Sequence, residues 1–315
     1  DKAKRENYVY NSEYVNKDKK GIFSPEEIGK YSSKIKFIMN QVENSEGIVL
    51  IYSQYIDSGC VPLALALEEL GYGRYKRANL FKKPPVPKNN KKYVMITGSP
   101  NLSPNNREEI KAVSNSNNIN GEKIKVVIIS EAGSEGIAFK NIRQIHILDP
   151  WWNLNRIEQI IGRGVRNCSH KELDFKKRNV EIFMYGTQLQ NEEVESADMY
   201  LYRTAETKAQ KIGKISRILK ENAMDCLLNK NVMSESLMKQ KHVLELSNGE
   251  KIEYNIGDKP FSSLCDYMEN CEYSCKPNNE INKETADTYS ENFIMTNLEI
   301  LTHKIKELFK EQYIF

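Results

Sequence analysis

The sequence predicts an α/β protein: a parallel sheet covered by helices on both faces, followed by a mainly helical extension. Three observations carry this. Five short apolar runs, near residues 48–52, 94–96, 126–129, 145–148 and 180–184, have the length and composition of strands buried on both faces. Segments with helical spacing lie between them, and such alternation argues for a parallel sheet with helical crossovers. The polar stretches after four of the runs, Ser53-Gln54, Thr97–Pro100, Ser130–Gly136 and Asp149–Asn153, fall where such a sheet gathers its binding loops, beyond the carboxyl ends of the strands.

Length and composition bound the reading. A chain of 315 residues has room for about two domains. A hydrophobic content of 39 % is enough for a packed core. No apolar run approaches the ~18 residues needed to span a bilayer, so no membrane role is expected. The opening residues DKAKRENYVY carry no signal-peptide pattern, and they lack an initiator Met, which fits a fragment or a processed chain. The net charge of +3 is too small to imply a nucleic-acid partner by itself; the distribution of charge decides more. Six cysteines in a chain this long do not suggest a disulfide scaffold, and reduced thiols are expected.

Residues 1–45 read as an arm and a lead-in helix. Ser24-Pro25-Glu26-Glu27 combines an N-cap, a first-turn proline and an early glutamate, and Ile35, Ile38, Met39 and Val42 then repeat at helical spacing. The first strand, Ile48 to Tyr52, opens a domain over residues 46–190. A helix from Pro62 to Leu70 closes on Gly71 as its C-cap. Residues 74–92 are basic and proline-rich, with Tyr75 and Phe81 interleaved. They fit a loop that tracks phosphates and stacks bases, and equally a solvated insertion between strands. Asn106 to Val113 reads as a short helix, and residues 115–121 as turns. After the third strand, Gly133 and Gly136 punctuate a loop where backbone can approach a ligand. Pro150 disfavours helix at Asp149. Ile157, Ile160, Ile161 and Val165 then predict a helix carrying Gln159, Arg163 and Arg166, with the two arginines neighbours on one helical surface.

The extension, residues 191–315, begins with a helix in which Leu201, Ala205, Ile212, Ile215 and Leu219 oppose a lysine-rich side. That side fits a solvated face at least as well as a phosphate-binding one. Asn248-Gly249 between β-prone runs predicts a hairpin over 242–256. Cys265, Cys271 and Cys275 form a weak zinc signal that Cys226 or His242 could complete, weaker than the reading of ordinary thiols. A final amphipathic helix is expected from Ile294 to Phe309.

GSEGIAF followed by QIIGRGVR resembles motifs V and VI of superfamily 2 helicases, and the intervening DPWWN is similar to the Swi/Snf branch. The wording SEAGSEG, IHILDPWWN and IEQIIGRGVR most resembles the helicases of large cytoplasmic DNA viruses. These include relatives of the poxvirus early transcription factor small subunit and nucleoside triphosphate phosphohydrolase. The strong match covers about residues 46–185, with a weaker one in ESADMYLYRTAETKAQKIG. The resemblance implies a RecA-like second lobe of a nucleic-acid-dependent ATPase or helicase.

It also implies roles for particular residues. Arg163 and Arg166 would face the phosphates, Arg166 as the finger, with Gln159, Gly133, Glu135 and Gly136 at the nucleotide. Ser53, Gln54, Thr97, Ser130 and Trp152 would lie toward nucleic acid. Of the two tryptophans, one is expected inside the lobe and one at its surface. Ala138 stands where many relatives have Asp or Asn near the ribose, which weakens a ribose contact. No G-x-x-x-x-G-K-[ST] and no acidic D-E-x-x box occurs in the sequence. ATP and magnesium would therefore need an N-terminal lobe in cis, and the isolated chain is expected not to hydrolyse ATP. Further implied partners are DNA more than RNA, and viral RNA polymerase or a transcription-factor subunit, in the virion and host cytoplasm. The rival reading is a transcription-factor module that binds DNA or polymerase without motor activity.

Overall fold

The computed structural model describes residues 8–85, 90–104, 106–131, 136–189, 194–226, 241–246, 248–255, 259–276, 298–300, 302–303 and 305–307. They fall into two compact units, residues 1–209 and 210–315.

The first unit holds a six-stranded, wholly parallel sheet. Its strands are β1 (Ile48–Tyr52), β2 (Gly73–Arg74), β3 (Lys92–Ile96), β4 (Ile124–Ile129), β5 (Ile142–Ile147) and β6 (Glu181–Met184), in the order β2-β3-β4-β1-β5-β6. Successive side chains of a strand point to opposite faces, and the apolar runs divide accordingly into two cores. Val49, Ile51, Met95, Val126 and Ile128 pack with α1 (Ile28–Tyr31), α2 (Ser33–Asn44) and α3 (Val61–Glu69). Leu50, Val94, Val127, Ile145 and Ile147 pack with α4 (Asn106–Val113) and α5 (Leu154–Gly164). The sheet with helices on both faces is thus as expected, and the two cores hold its strand ends in fixed register.

Four details differ from the sequence reading, each for a local reason. The lead-in helix is two helices, because Ser32 leaves the helical region and its hydroxyl caps α2 by accepting from the Ile35 N–H (3.2 Å). The two-residue β2 lies at the start of the basic stretch and escapes an apolar-run search. β4 starts at Ile124, so Lys125 is buried; its ammonium donates to the carbonyls of Ser45 (2.6 Å) and Gly47 (2.7 Å). β6 is an edge strand, with Ile182 and Met184 exposed and Phe183 stacked on the buried His146 at 4.7 Å.

The basic stretch is anchored by one carboxylate. Glu68, 1 % exposed near the end of α3, accepts from the Leu80 N–H (2.6 Å), the Phe81 N–H (2.9 Å) and the Tyr93 hydroxyl (2.6 Å). Burial raises its pKa and these three donors oppose the rise.

The second unit contains the latter part of α6 (Ala197–Glu221) and an antiparallel hairpin, β7 (Lys241–Glu245) with β8 (Lys251–Asn255), turning at Gly249 with φ +83°. Residues 259–276 pack on α6. Arg217, 8 % exposed, donates to Asp266 (2.8 Å) and to the carbonyls of Cys265, Asn270 and Glu272. The expectation of reduced thiols holds for Cys60 and Cys168 and is corrected here for the other four. Cys226 pairs with Cys275 and Cys265 with Cys271, at Cα separations of 5.8 and 4.8 Å that a disulfide spans without backbone movement. These four sulfurs are therefore not thiolate ligands for zinc. The predicted final helix lies mostly outside the described residues; those described at 298–300, 302–303 and 305–307 are helical.

Candidate functional site

The site is built on α5 and on the segment that leaves β4. Asn153, extended, starts the helix just past the end of β5, and the last turn packs through Gly164 against Ile142, where β5 begins. Ile157 and Ile160 face the core. Arg156, Gln159 and Arg163, at i, i+3 and i+7, lie along one flank of that core face, Gln159 exposed and the two arginines partly buried. Glu131 and residues 136–139 lie alongside. Glu131 pairs with Arg156 (3.1 Å); Ile137 accepts from Arg163 Nη1 (3.3 Å) and the Phe139 N–H donates to the Arg163 carbonyl (2.9 Å). These described residues after β4 thus adjoin the helix after β5.

Arg166 is not on the helix, contrary to the spacing argument. α5 ends at Gly164 and Val165 is extended (φ −107°, ψ 94°), since two glycines in the last turn leave little to propagate it. Val165 is accordingly exposed. The Arg166 side chain folds back so that Nε donates to the Gly162 carbonyl (3.0 Å), and its backbone N–H reaches the Ser169 hydroxyl (3.3 Å). Among the described residues its two terminal amino groups meet no acceptor, and the residue is exposed. Arg163 is half-buried and Gln159 exposed. Gly136 is exposed at φ +68°, a left-handed conformation that suits glycine. Gly133 and Glu135 lie outside the described residues.

A second cluster joins the ends of β1 and β5. Asp149 accepts from the Ser53 hydroxyl (2.5 Å) and the Gln54 N–H (3.2 Å), while the Gln54 side chain reaches the Pro150 carbonyl (3.4 Å). Burial raises the Asp149 pKa, opposed by the Ser53 hydrogen bond and the charge of Lys34. Lys34 also donates to the Leu148 carbonyl (3.3 Å) and pairs with Asp198 (2.5 Å), tying α2 and the start of α6 to the same corner. The two tryptophans differ in exposure. Trp151 packs on the core with Arg156 5.7 Å above its ring, whereas Trp152 is 48 % exposed with Lys208 Nζ 5.5 Å from its ring.

Three residues expected to meet nucleic acid are turned inward. Ser53, Thr97 and Ser130 are at most 2 % exposed. Their hydroxyls bond Asp149, the Ser103 hydroxyl (3.0 Å) and the Thr97 carbonyl (2.9 Å) respectively, because a buried hydroxyl at a strand end needs a partner. They shape the loops, and Gln54 and Trp152 carry the surface. Sequence reasoning missed Arg156, whose ion pair with Glu131 joins residues 25 apart in sequence. The signal available was its place three residues before Gln159.

The family described as Helicase conserved C-terminal domain matches residues 33–168. Over those residues the chain is similar to that domain. It is similar to a protein of Invertebrate iridescent virus 3 named as helicase 087L, 36 % identical over 64 % of this chain and 21 % of that protein. It is also similar to one of Acanthamoeba polyphaga mimivirus named as ATP-dependent RNA helicase R350, 34 % identical over 61 % of this chain and 23 % of that protein. Nucleoside triphosphatase I of Melanoplus sanguinipes entomopoxvirus is 30 % identical over 61 % of this chain and 30 % of its own length. The chain thus spans between about a fifth and a third of these viral relatives. Among the described residues no helix is long and apolar enough to cross a membrane.

Proposed function

We propose that the helicase lobe completes an ATP site whose phosphate loop and metal-binding acid belong to a partner lobe in the full protein, with Arg166 as the arginine finger. The observation that carries this is the state of Arg166. Its Nε is pinned to Gly162 while the rest of the guanidinium fork is exposed and uncommitted. A planar fork held in this way suits bidentate contact with phosphate oxygens. Arg163 and Gln159 position the nucleotide from the adjoining turn of α5, and the Glu131–Arg156 ion pair couples that helix to the end of β4. The partner lobe's acid would hold magnesium with ATP, which would supply charge neutralisation at the phosphates. Arg166 adds positive charge that matters most as the transferred phosphoryl group separates. The relatives named as helicases and nucleoside triphosphatase support nucleic-acid-dependent turnover.

The reading extends to motion along nucleic acid, with DNA favoured by the likeness of DPWWN to the Swi/Snf branch, and to a role in viral early transcription. Trp152, backed by the Lys208 ammonium, offers a stacking face on the same lobe. In the full-length protein, Arg166→Ala should lower nucleic-acid-stimulated ATPase turnover by about 10³-fold and leave nucleic-acid affinity largely intact. Turnover near wild type would remove the finger assignment. The 315-residue chain alone should show no stimulated turnover.

A further inference from the structure

A cleft of about 350 Å³ lies at the edge of the first unit, lined by Tyr8, Val9, Tyr10, Phe81, Lys82 and Lys83. It belongs to neither cluster described above. Leu80 and Phe81 hang from Glu68 at the last turns of α3, and Glu68 also holds Tyr93, the second residue of β3. The cleft therefore sits by the amino-terminal ends of the strands on the β2 side. The loops after Ser53, Thr97 and Ser130 are at the other end.

The cleft is built rather than incidental. Residues 8–10 add to the basic stretch like a strand: the Tyr8 N–H donates to the Leu80 carbonyl (2.8 Å) and the Lys82 N–H to the Tyr8 carbonyl (3.0 Å). Tyr10 is fixed by its hydroxyl on Glu69 (2.7 Å) and by ring contacts with Phe81 at 5.0 Å and Phe23 at 6.1 Å. Gly21 lies flush against the Tyr10 ring, where any Cβ would overlap it. The aromatic wall is thus ordered before a ligand arrives, which spares the ordering cost of binding. Lys82 and Lys83 are exposed, and among the described residues neither ammonium has a carboxylate partner.

An apolar wall of rings beside two uncompensated ammonium groups selects a flat aromatic group carrying negative charge. The volume lies in the range of small-ligand sites. We propose that this cleft binds a nucleoside phosphate, its base against Tyr8 and Phe81 and its phosphate on Lys82 and Lys83, either as a free nucleotide or as one unit of a single strand. The proposal takes from the proposed function only that nucleic acid and nucleotides are at hand; it does not need Arg166 to act as a finger.

The test uses the full chain with two probes, thymidine monophosphate and a 5′-phosphorylated single-stranded oligothymidylate. A photoreactive halogenated-uracil analogue of each should cross-link to peptides holding residues 8–10 or 80–83, and should still do so in Trp152→Ala and Arg166→Ala. Lys82→Glu combined with Lys83→Glu alters only exposed side chains, so its thermal midpoint should match wild type. It should weaken binding by about tenfold and reduce the salt slope for the oligonucleotide by about 1.4, two charges at roughly 0.7 each on a single strand. Loss with both probes marks a nucleotide-sized pocket, and loss with the oligonucleotide alone marks a strand contact; either supports the cleft. Cross-links confined to other peptides, with affinity for both probes unchanged by the double substitution, would overturn it.

Discussion

At the scale of single residues, the site separates side chains that build from side chains that present. Ser53, Thr97 and Ser130 build; Arg166, Gln159 and Trp152 present. A family resemblance assigns residue types at loop positions but not which way a hydroxyl turns, so it set all six toward nucleotide or nucleic acid. His146 belongs to the builders. It is fully buried, its ring nitrogens meeting the Tyr185 hydroxyl (2.6 Å) and the Gln144 side-chain oxygen (3.2 Å). Burial lowers its pKa from 6.5 to about 4. The unfolded chain then takes up the proton first as pH falls, so the stability tied to neutral His146 is complete above pH 6.5 and drains away below it. Between pH 6.5 and about 5 the loss tied to this imidazole should be about 2 kcal/mol. Denaturant unfolding across that window should show a flatter pH dependence in His146→Asn. An unchanged slope would mean that this imidazole does not titrate as its surroundings imply.

At the scale of elements, legibility followed burial. β1, β3, β4 and β5 were readable because both faces are covered and each carries a mainly apolar run, interrupted in β5 by His146. β2 was not, since two residues reading Gly-Arg carry no apolar signal and exist as strand only through pairing with β3. The end of α5 was half-legible. Gly162 and Gly164 mark a weak last turn, but the apolar period through Val165 argued for continuation and was not obeyed. The contact of α6 with residues 259–276 is wholly tertiary. At Gly213 a Cβ would run into the backbone carbonyl of Asp266, a residue clamped by Arg217 and Lys220. Helix propensity alone says that Gly213→Ala should stabilise by about 1 kcal/mol. The overlap predicts the opposite sign, a loss of about 1–3 kcal/mol, with faster amide exchange over 260–276. Stabilisation by the alanine would show that the two segments do not meet so closely.

At the scale of the whole molecule, each unit is held by different means. The first has two apolar cores on one sheet, the organisation that alternating strand and helix signals announce. The second has little apolar interior among its described residues; Arg217, Asp266 and two disulfides take that place. Cysteine spacing could not give these pairings, because four cysteines allow three connectivities and reduced thiols besides. The Cys226–Cys275 link closes 49 residues, worth about 4 kcal/mol by loop-closure entropy. Reduction with dithiothreitol should therefore lower the second unit's thermal transition and leave the sheet unit's in place. A single unshifted transition would contradict that division.

The most direct test of the central claim, that Arg166 meets the nucleotide where charge develops, compares two affinities in the full-length protein. Arg166→Ala should bind ADP as tightly as wild type, and should bind ADP with aluminium fluoride, a mimic of the transferring phosphoryl group, about a hundredfold more weakly. Equal affinities of both proteins for both ligands would contradict the account, leaving Arg166 an exposed side chain resting on the last turn of α5.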